Sequence, residues 1–128
     1  MAVPVGASAE RTFVVARDDT AAAIGSGDLD VLGTPRLIAW CEAVTVAALA
    51  SHLEPSQTTV GSRVEMEHLR AVPVGAAVTV HAGVDEVDER LVRFEVAAHD
   101  VQGAVGRGRV TRAVVDRERF LARVQRPG

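Results

Sequence analysis

Thr34-Pro-Arg-Leu-Ile-Ala-Trp-Cys-Glu-Ala-Val-Thr-Val-Ala-Ala-Leu-Ala-Ser-His52 reads as one helix. Thr34 is a good N-cap, and Pro35 at the first helical position has its φ already set and loses no needed N–H. The helix runs to about His52 and stops before Pro55. Its apolar residues, Leu37, Ile38, Trp40, Cys41, Val44, Val46, Ala47 and Leu49, cover nearly every face. A surface helix keeps a wet side; this one is expected to be enclosed.

The enclosing layer follows in sequence. Segments 58–69, 76–87, 91–99 and 104–116 alternate apolar and polar residues. Val78, Val80, Ala82 and Val84 fall on one face, and Val92, Phe94, Val96 and Ala98 repeat the pattern. A period of two marks half-buried antiparallel strands. Turn chemistry separates them at Pro73–Gly75, Asp88–Arg90 and Asp100–Gly103. Before the helix, residues 11–17 read as a strand, and 18–33 as loop with a turn of helix at Ala21–Ile24. After the last strand, Asp116 either caps a short helix to Arg123 or continues an extended edge. A strand, a buried helix and a long antiparallel meander give an α+β chain whose curved sheet wraps its central helix, the hot-dog layout. It is read as a single domain over residues 1–128, with no internal repeat. Edge strands of this length need covering, so a homodimer is expected.

Composition narrows the classes of function. A chain of 128 residues with 48% hydrophobic residues supports one real core. Its net charge of −3 argues against a nucleic-acid partner. The single cysteine, Cys41, cannot form an internal disulfide, so a reducing compartment fits best and the protein is expected in the cytoplasm. The stretch from Met1 to Ala9 lacks the basic and continuous apolar regions of a signal peptide. Leu37 to Ala50, interrupted by Glu42, falls short of the roughly 20 residues of a membrane span.

Three residues look out of place on such a scaffold. Glu42 is the only charged residue between Arg36 and His52. Burying its carboxylate costs several kcal/mol unless it is paired, so it has a partner, a strip of solvent or a task. His68 shares its strand face with Val60, Val64 and Met66, which sets an imidazole on an apolar face. Thr34 is explained by capping alone. His52, His81 and His99 read as surface residues. Taken together, Thr34, Glu42 and His68 supply a hydroxyl, a carboxylate and a base, the inventory for acyl transfer or thioester hydrolysis. No metal-ligand spacing, HExxH, GxSxG, P-loop or GxGxxG motif is present, so no metal and no cofactor is expected.

The run Thr34 … Glu42 … Leu53-Glu-Pro55 … Val60-Gly61 … His68 … Pro73-Val-Gly75, then Ala98-His-Asp100 and Thr111-Arg-Ala-Val114, resembles the fluoroacetyl-CoA thioesterase group of hot-dog proteins. The likeness covers Val31 to the C-terminus, and the spacings from Thr34 to Glu42 and from Glu42 to His68 match that group's catalytic Thr, Glu and His. By this resemblance Thr34, Glu42 and His68 are the catalytic set, and Gly61, His68 and Arg112 contact the acyl-CoA. His68 would be the general base and Glu42 its polarising carboxylate or the helper of the attacking water. Thr34 would be nucleophile or hydrogen-bond donor. Gly61 has a second explanation as a strand bulge, and Arg112 as a solvated or paired strand Arg. The phenylalanines that form that group's lid have no counterparts in Ile24–Leu32, so fluoroacetyl selectivity is not carried over.

The resemblance implies an acyl-CoA thioesterase of unknown acyl group. The alternative is a non-catalytic hot-dog protein that holds an acyl-CoA or another small ligand. A hydratase is the weaker third reading. Hydratases of this fold resemble an Asp followed five residues later by a His at the start of the central helix, where this chain has Thr34–Ala39.

Overall fold

The computed structural model describes residues 3–126; Met1, Ala2, Pro127 and Gly128, the ends of the expected 1–128 domain, lie outside the described residues. The elements in order are β1 (Ser8–Val14), α1 (Ala21–Ile24), α2 (Thr34–Leu49), β2 (Gln57–His68), β3 (Ala77–Asp88), β4 (Leu91–Asp100), β5 (Gly103–Asp116) and α3 (Arg117–Val124). A turn of 3-10 helix, Ala50–His52, extends α2 to the boundary the sequence suggested. No helix among the described residues is long and apolar enough to cross a membrane.

The start of α2 differs from expectation by one residue. Gly33 is the N-cap in extended backbone, Thr34 is the first helical residue, and Pro35 the second. Glycine also tolerates the cap position, and Pro35 fits the first turn in either register. Thr34 is therefore not the cap, and its hydroxyl is free for another partner.

The buried stripe of α2 is Leu37, Trp40, Cys41, Val44, Thr45, Ala48 and Leu49, at the spacing of a single helix face. Trp40 stacks on Phe13 of β1 with ring centroids 4.7 Å apart. Ala39, Ala43, Val46 and Ala47 stay exposed, so within one chain the helix is not enclosed on all sides. Small apolar residues on the open side give the sequence the look of a uniformly buried helix.

The five strands form one antiparallel sheet in the order β1-β3-β4-β5-β2. The inward face carries Val78, Val80, Ala82 and Val84 from β3 and Val92, Phe94, Val96 and Ala98 from β4, all buried. Register shifts at Gly61/Arg63, Val84/Glu86 and Ala98/His99 bend the strands. Bulges increase local twist and let the sheet curl about α2. β1 starts and ends three residues earlier than expected. Ser8–Glu10 has weak strand propensity and is recruited by pairing with β3, while Ala16 N–H donates to Asp19 Oδ2 and turns the chain out of the sheet. At the far end, Asp116 Oδ1 accepts from Arg119 N–H at 3.0 Å, which selects the helix rather than an extended edge.

β2 follows α2 in sequence but lies at the edge beside β5, with its other side unpaired. Opposed residues in an antiparallel pair point to the same face, so the ladder fixes what faces α2. Val64, Met66 and His68 oppose Val110, Gly108 and Gly106, while Gly61 opposes Arg112. The extra residue between Gly61 and Arg63 reverses the alternation. Val60 is therefore not on the His68 face, contrary to the period-two reading; Thr59 and Gly61 take its place there.

Candidate active site

Two clusters hold the residues singled out from sequence. The first joins the start of α2 to the end of β2. Thr34 Oγ1 lies 2.8 Å from Nδ1 of the His68 ring. With Thr34 donating, Nδ1 is the acceptor and the ring proton sits on Nε2. Nε2 is buried and has no hydrogen-bond partner among the described residues. Burial lowers the His68 pKa below its ordinary 6.5, with the Arg70 backbone opposing more weakly. A neutral imidazole in contact with a hydroxyl can accept its proton.

Asp19 secures the helix end that carries Thr34. Its carbonyl accepts from Gly33 N–H at 2.9 Å, and its carboxylate lies 3.1 Å from Arg36 Nε. A cleft of about 330 Å³ opens beside the pair, lined by Ala21, Ser26, Val31, Leu32, Leu69, Arg70 and Ala71 with Thr34 and His68 themselves. Its lining carries no phenylalanine, in keeping with the composition of Ile24–Leu32. A larger groove of about 790 Å³ includes Glu65, Glu67, Asp85, Glu95, Arg107 and Arg109, and contains none of the singled-out residues.

The second cluster lies farther along α2. Arg112 Nη1 donates to Glu42 Oε2 at 3.3 Å, which gives the Glu42 carboxylate its partner. The guanidinium is 9% exposed and the carboxylate 35%, so the pair sits at the edge of solvent. Burial lowers the Arg112 pKa and Glu42 opposes that shift; the group stays charged. Gly61 opposes Arg112, and a Cβ built on it would collide with Glu42 Oε2. The bulge explanation of Gly61 holds, since the register shifts just after it, and its bare Cα also makes room for the Glu42 carboxylate.

Sequence reasoning missed Thr59. Its Oγ1 accepts from Arg112 Nε at 2.8 Å, and its carbonyl from Arg112 Nη2 at 3.2 Å. A threonine in a strand is ordinary, and only the bulge brings it to the face of Arg112, so no sequence signal marked it.

The chain brings Thr34 to His68 and Glu42 to Gly61 and Arg112, but it joins neither pair to the other by a hydrogen bond. Thr34 and Glu42 are eight residues apart on one helix, roughly 12 Å along its axis. Of the remaining histidines, His81 and His99 are exposed and His52 is half-buried.

The sequence profile of a family described as fluoroacetyl-CoA-specific thioesterase matches residues 15–118, which include both clusters. The fluoroacetyl-CoA thioesterase of Streptantibioticus cattleyicolor is 34% identical over 96 residues, 75% of this chain and 69% of that protein. A solved structure of a fluoroacetyl-CoA thioesterase superposes with a TM-score of 0.90 at 30% identity, covering 99% of this chain and 100% of the other. A hot-dog-like protein from Thermanaerovibrio acidaminovorans gives a TM-score of 0.88 at 28% identity, over 94% of this chain and 90% of that one. Sequence and backbone agree along nearly the whole length, and the chain, with its hot-dog fold, belongs to the fluoroacetyl-CoA-specific thioesterase family.

Proposed function

We propose that this hot-dog thioesterase hydrolyses an acyl-CoA to the free acid and CoA with Thr34, Glu42 and His68 as catalytic residues, and with Gly61, His68 and Arg112 against the substrate. The observation that carries the reading is the 2.8 Å contact between the Thr34 hydroxyl and His68 Nδ1. His68 takes the hydroxyl proton as Oγ1 adds to the thioester carbonyl. The C–S bond then breaks, the proton passes to the departing CoA thiolate, and the acyl group rests on Thr34. Water then gives a proton to the carboxylate of the partner's Glu42 and adds to the acyl carbonyl; the acyl–Oγ1 bond breaks, the acid leaves, and that proton returns to Thr34 Oγ1. The acyl group lies in the cleft walled by Ala21, Val31, Leu32, Leu69 and Ala71.

A homodimer resolves the separation of the two clusters. β2 is a twelve-residue edge strand with one open side, and α2 leaves Ala39, Ala43, Val46 and Ala47 uncovered. A two-fold axis that pairs β2 with its own copy makes every contact reciprocal. With the axis near Glu65, His68 stands opposite the partner's Gly61, on the same face of the joined sheet. Each His68 then approaches the carboxylate of the partner's Glu42, an acceptor for its unpartnered Nε2. Protein carrying Glu65→Cys should cross-link to a covalent dimer under mild oxidation. A stable monomer at micromolar concentration by sedimentation would remove this arrangement.

The protein is assigned to the cytoplasm on its one cysteine. Cys41 is buried, and burial first, then the neighbouring Glu42, push its thiol up to about 12, so it is inert to disulfide exchange. The catalytic reading is tested with a panel of acyl-CoAs and a thiol reagent. Release of CoA, with the Thr34→Ala variant inactive, supports it; binding without release would support the ligand-holding alternative.

A further inference from the structure

Arg112, the partner of Glu42, is fixed from its other side. Nε donates to Thr59 Oγ1 at 2.8 Å and Nη2 to the Thr59 carbonyl at 3.2 Å, while Nη1 reaches Glu42 Oε2 at 3.3 Å. A guanidinium is planar, so two bonds on one edge set the direction of the remaining N–H groups. Thr59 supplies both of those bonds, one from its side chain and one from its backbone. Gly61, the ladder partner of Arg112, offers no Cβ, and Glu42 Oε2 occupies that space. Oε2 is thereby committed to Arg112, which leaves Oε1 as the oxygen that takes a proton.

We propose that Thr59 is a positioning residue for the thioesterase reaction: through Arg112 it holds the Glu42 carboxylate in the orientation the reaction uses. The inference rests on the reading of Glu42 as a catalytic carboxylate. The alternative role for Thr59 is a strand residue that stabilises the β2–β5 edge and nothing more. The two roles differ in what happens when Glu42 is already disabled. A residue that acts through Arg112 on Glu42 has nothing left to position, whereas a purely structural residue costs the same in either background.

The experiment measures kcat, KM and Tm for Thr59→Val, Thr59→Ser, Glu42→Gln and the Thr59→Val/Glu42→Gln double variant. Valine keeps the branched shape and removes the acceptor; Thr59→Ala replaces it if that variant does not fold. The expected result is a fall in kcat of about 10–100-fold for Thr59→Val, typical of removing an outer support of a reacting group, with KM little changed. Thr59→Ser should restore the rate, and the double variant should be no slower than Glu42→Gln alone. A lowered Tm with unchanged kcat in Thr59→Val, or losses that multiply in the double variant, would overturn the inference. If Glu42→Gln is slow while Thr59→Val is not, Thr59 alone loses its role. An unimpaired Glu42→Gln enzyme removes the carboxylate reading and the positioning role together.

Discussion

Thr34 and His68 meet through a 2.8 Å contact between Oγ1 and Nδ1, although one opens a helix and the other ends a strand 34 residues later. Because Gly33 holds the cap position, this hydroxyl has no structural duty at the helix end. His68→Ala should lower kcat by about 10²–10⁴-fold, the usual worth of a positioned base, with the fold intact by circular dichroism. Thr34→Ser should keep the hydroxyl and much of the activity. A His68→Ala protein that melts early but turns over normally while folded would contradict the assignment.

The pH dependence follows from burial of the same ring. The folded-state pKa of His68 lies below the ordinary 6.5, so the neutral, proton-accepting form persists below that pH. Within one chain this puts the acid limb of kcat/KM under 6.5; the carboxylate of the partner's Glu42 in the proposed dimer opposes that shift, and in either case the limb should disappear in His68→Ala. Between the lowered pKa and 6.5 the unfolded chain binds more protons than the folded one. His68 therefore makes the protein less stable as pH falls through that window. An acid limb that survives in His68→Ala would show that another group controls the rate.

Gly61 separates backbone geometry from chemistry. Alanine there places a methyl group where Glu42 Oε2 lies, and the carboxylate must swing away from Arg112. Displacement of a reacting group by about 1 Å costs on the order of 10²-fold, so Gly61→Ala should fall by that much in kcat with a small change in Tm. A bulge-only glycine would give the opposite: lower Tm and normal kcat per folded molecule. Steady-state kinetics and a melting curve on one preparation decide between them.

The legible parts of this molecule are those where local periodicity and tertiary environment agree. Val78–Val84 and Val92–Ala98 alternate without interruption, and every inward residue is buried. The Gly61–Ser62 bulge breaks that agreement, which is why a period of two puts Val60 on the His68 face and passes over Thr59. Residue types alone drew attention to Thr34, Glu42 and His68. Their division into two clusters was not readable, because strand order and distance along a helix face depend on contacts remote in sequence. The open strip of α2 was hidden for a related reason: alanine is compatible with helix interior and helix surface alike.

Glu42 separates pairing from catalysis most sharply, because its ion pair with Arg112 lies at the edge of solvent. If the carboxylate served only to neutralise Arg112, Glu42→Gln would leave a buried guanidinium short of its counter-charge. Loss of a fully buried pair costs about 3–5 kcal/mol. Here Arg112 keeps both bonds to Thr59, and the Glu42 side chain is 35% exposed, so the loss should be nearer about 1–2 kcal/mol. For a domain of this size that is a fall in Tm of several degrees, not unfolding. Activity should drop much further, by about 10²–10⁴-fold, because an amide cannot accept the proton of the attacking water or stabilise a charged His68. Glu42→Asp keeps the charge but shortens the reach, and should recover stability more than rate. Tm and kcat measured together on these two variants give opposite orderings for the two roles. A Glu42→Gln enzyme that loses several kcal/mol and keeps its turnover would return the residue to a purely structural part.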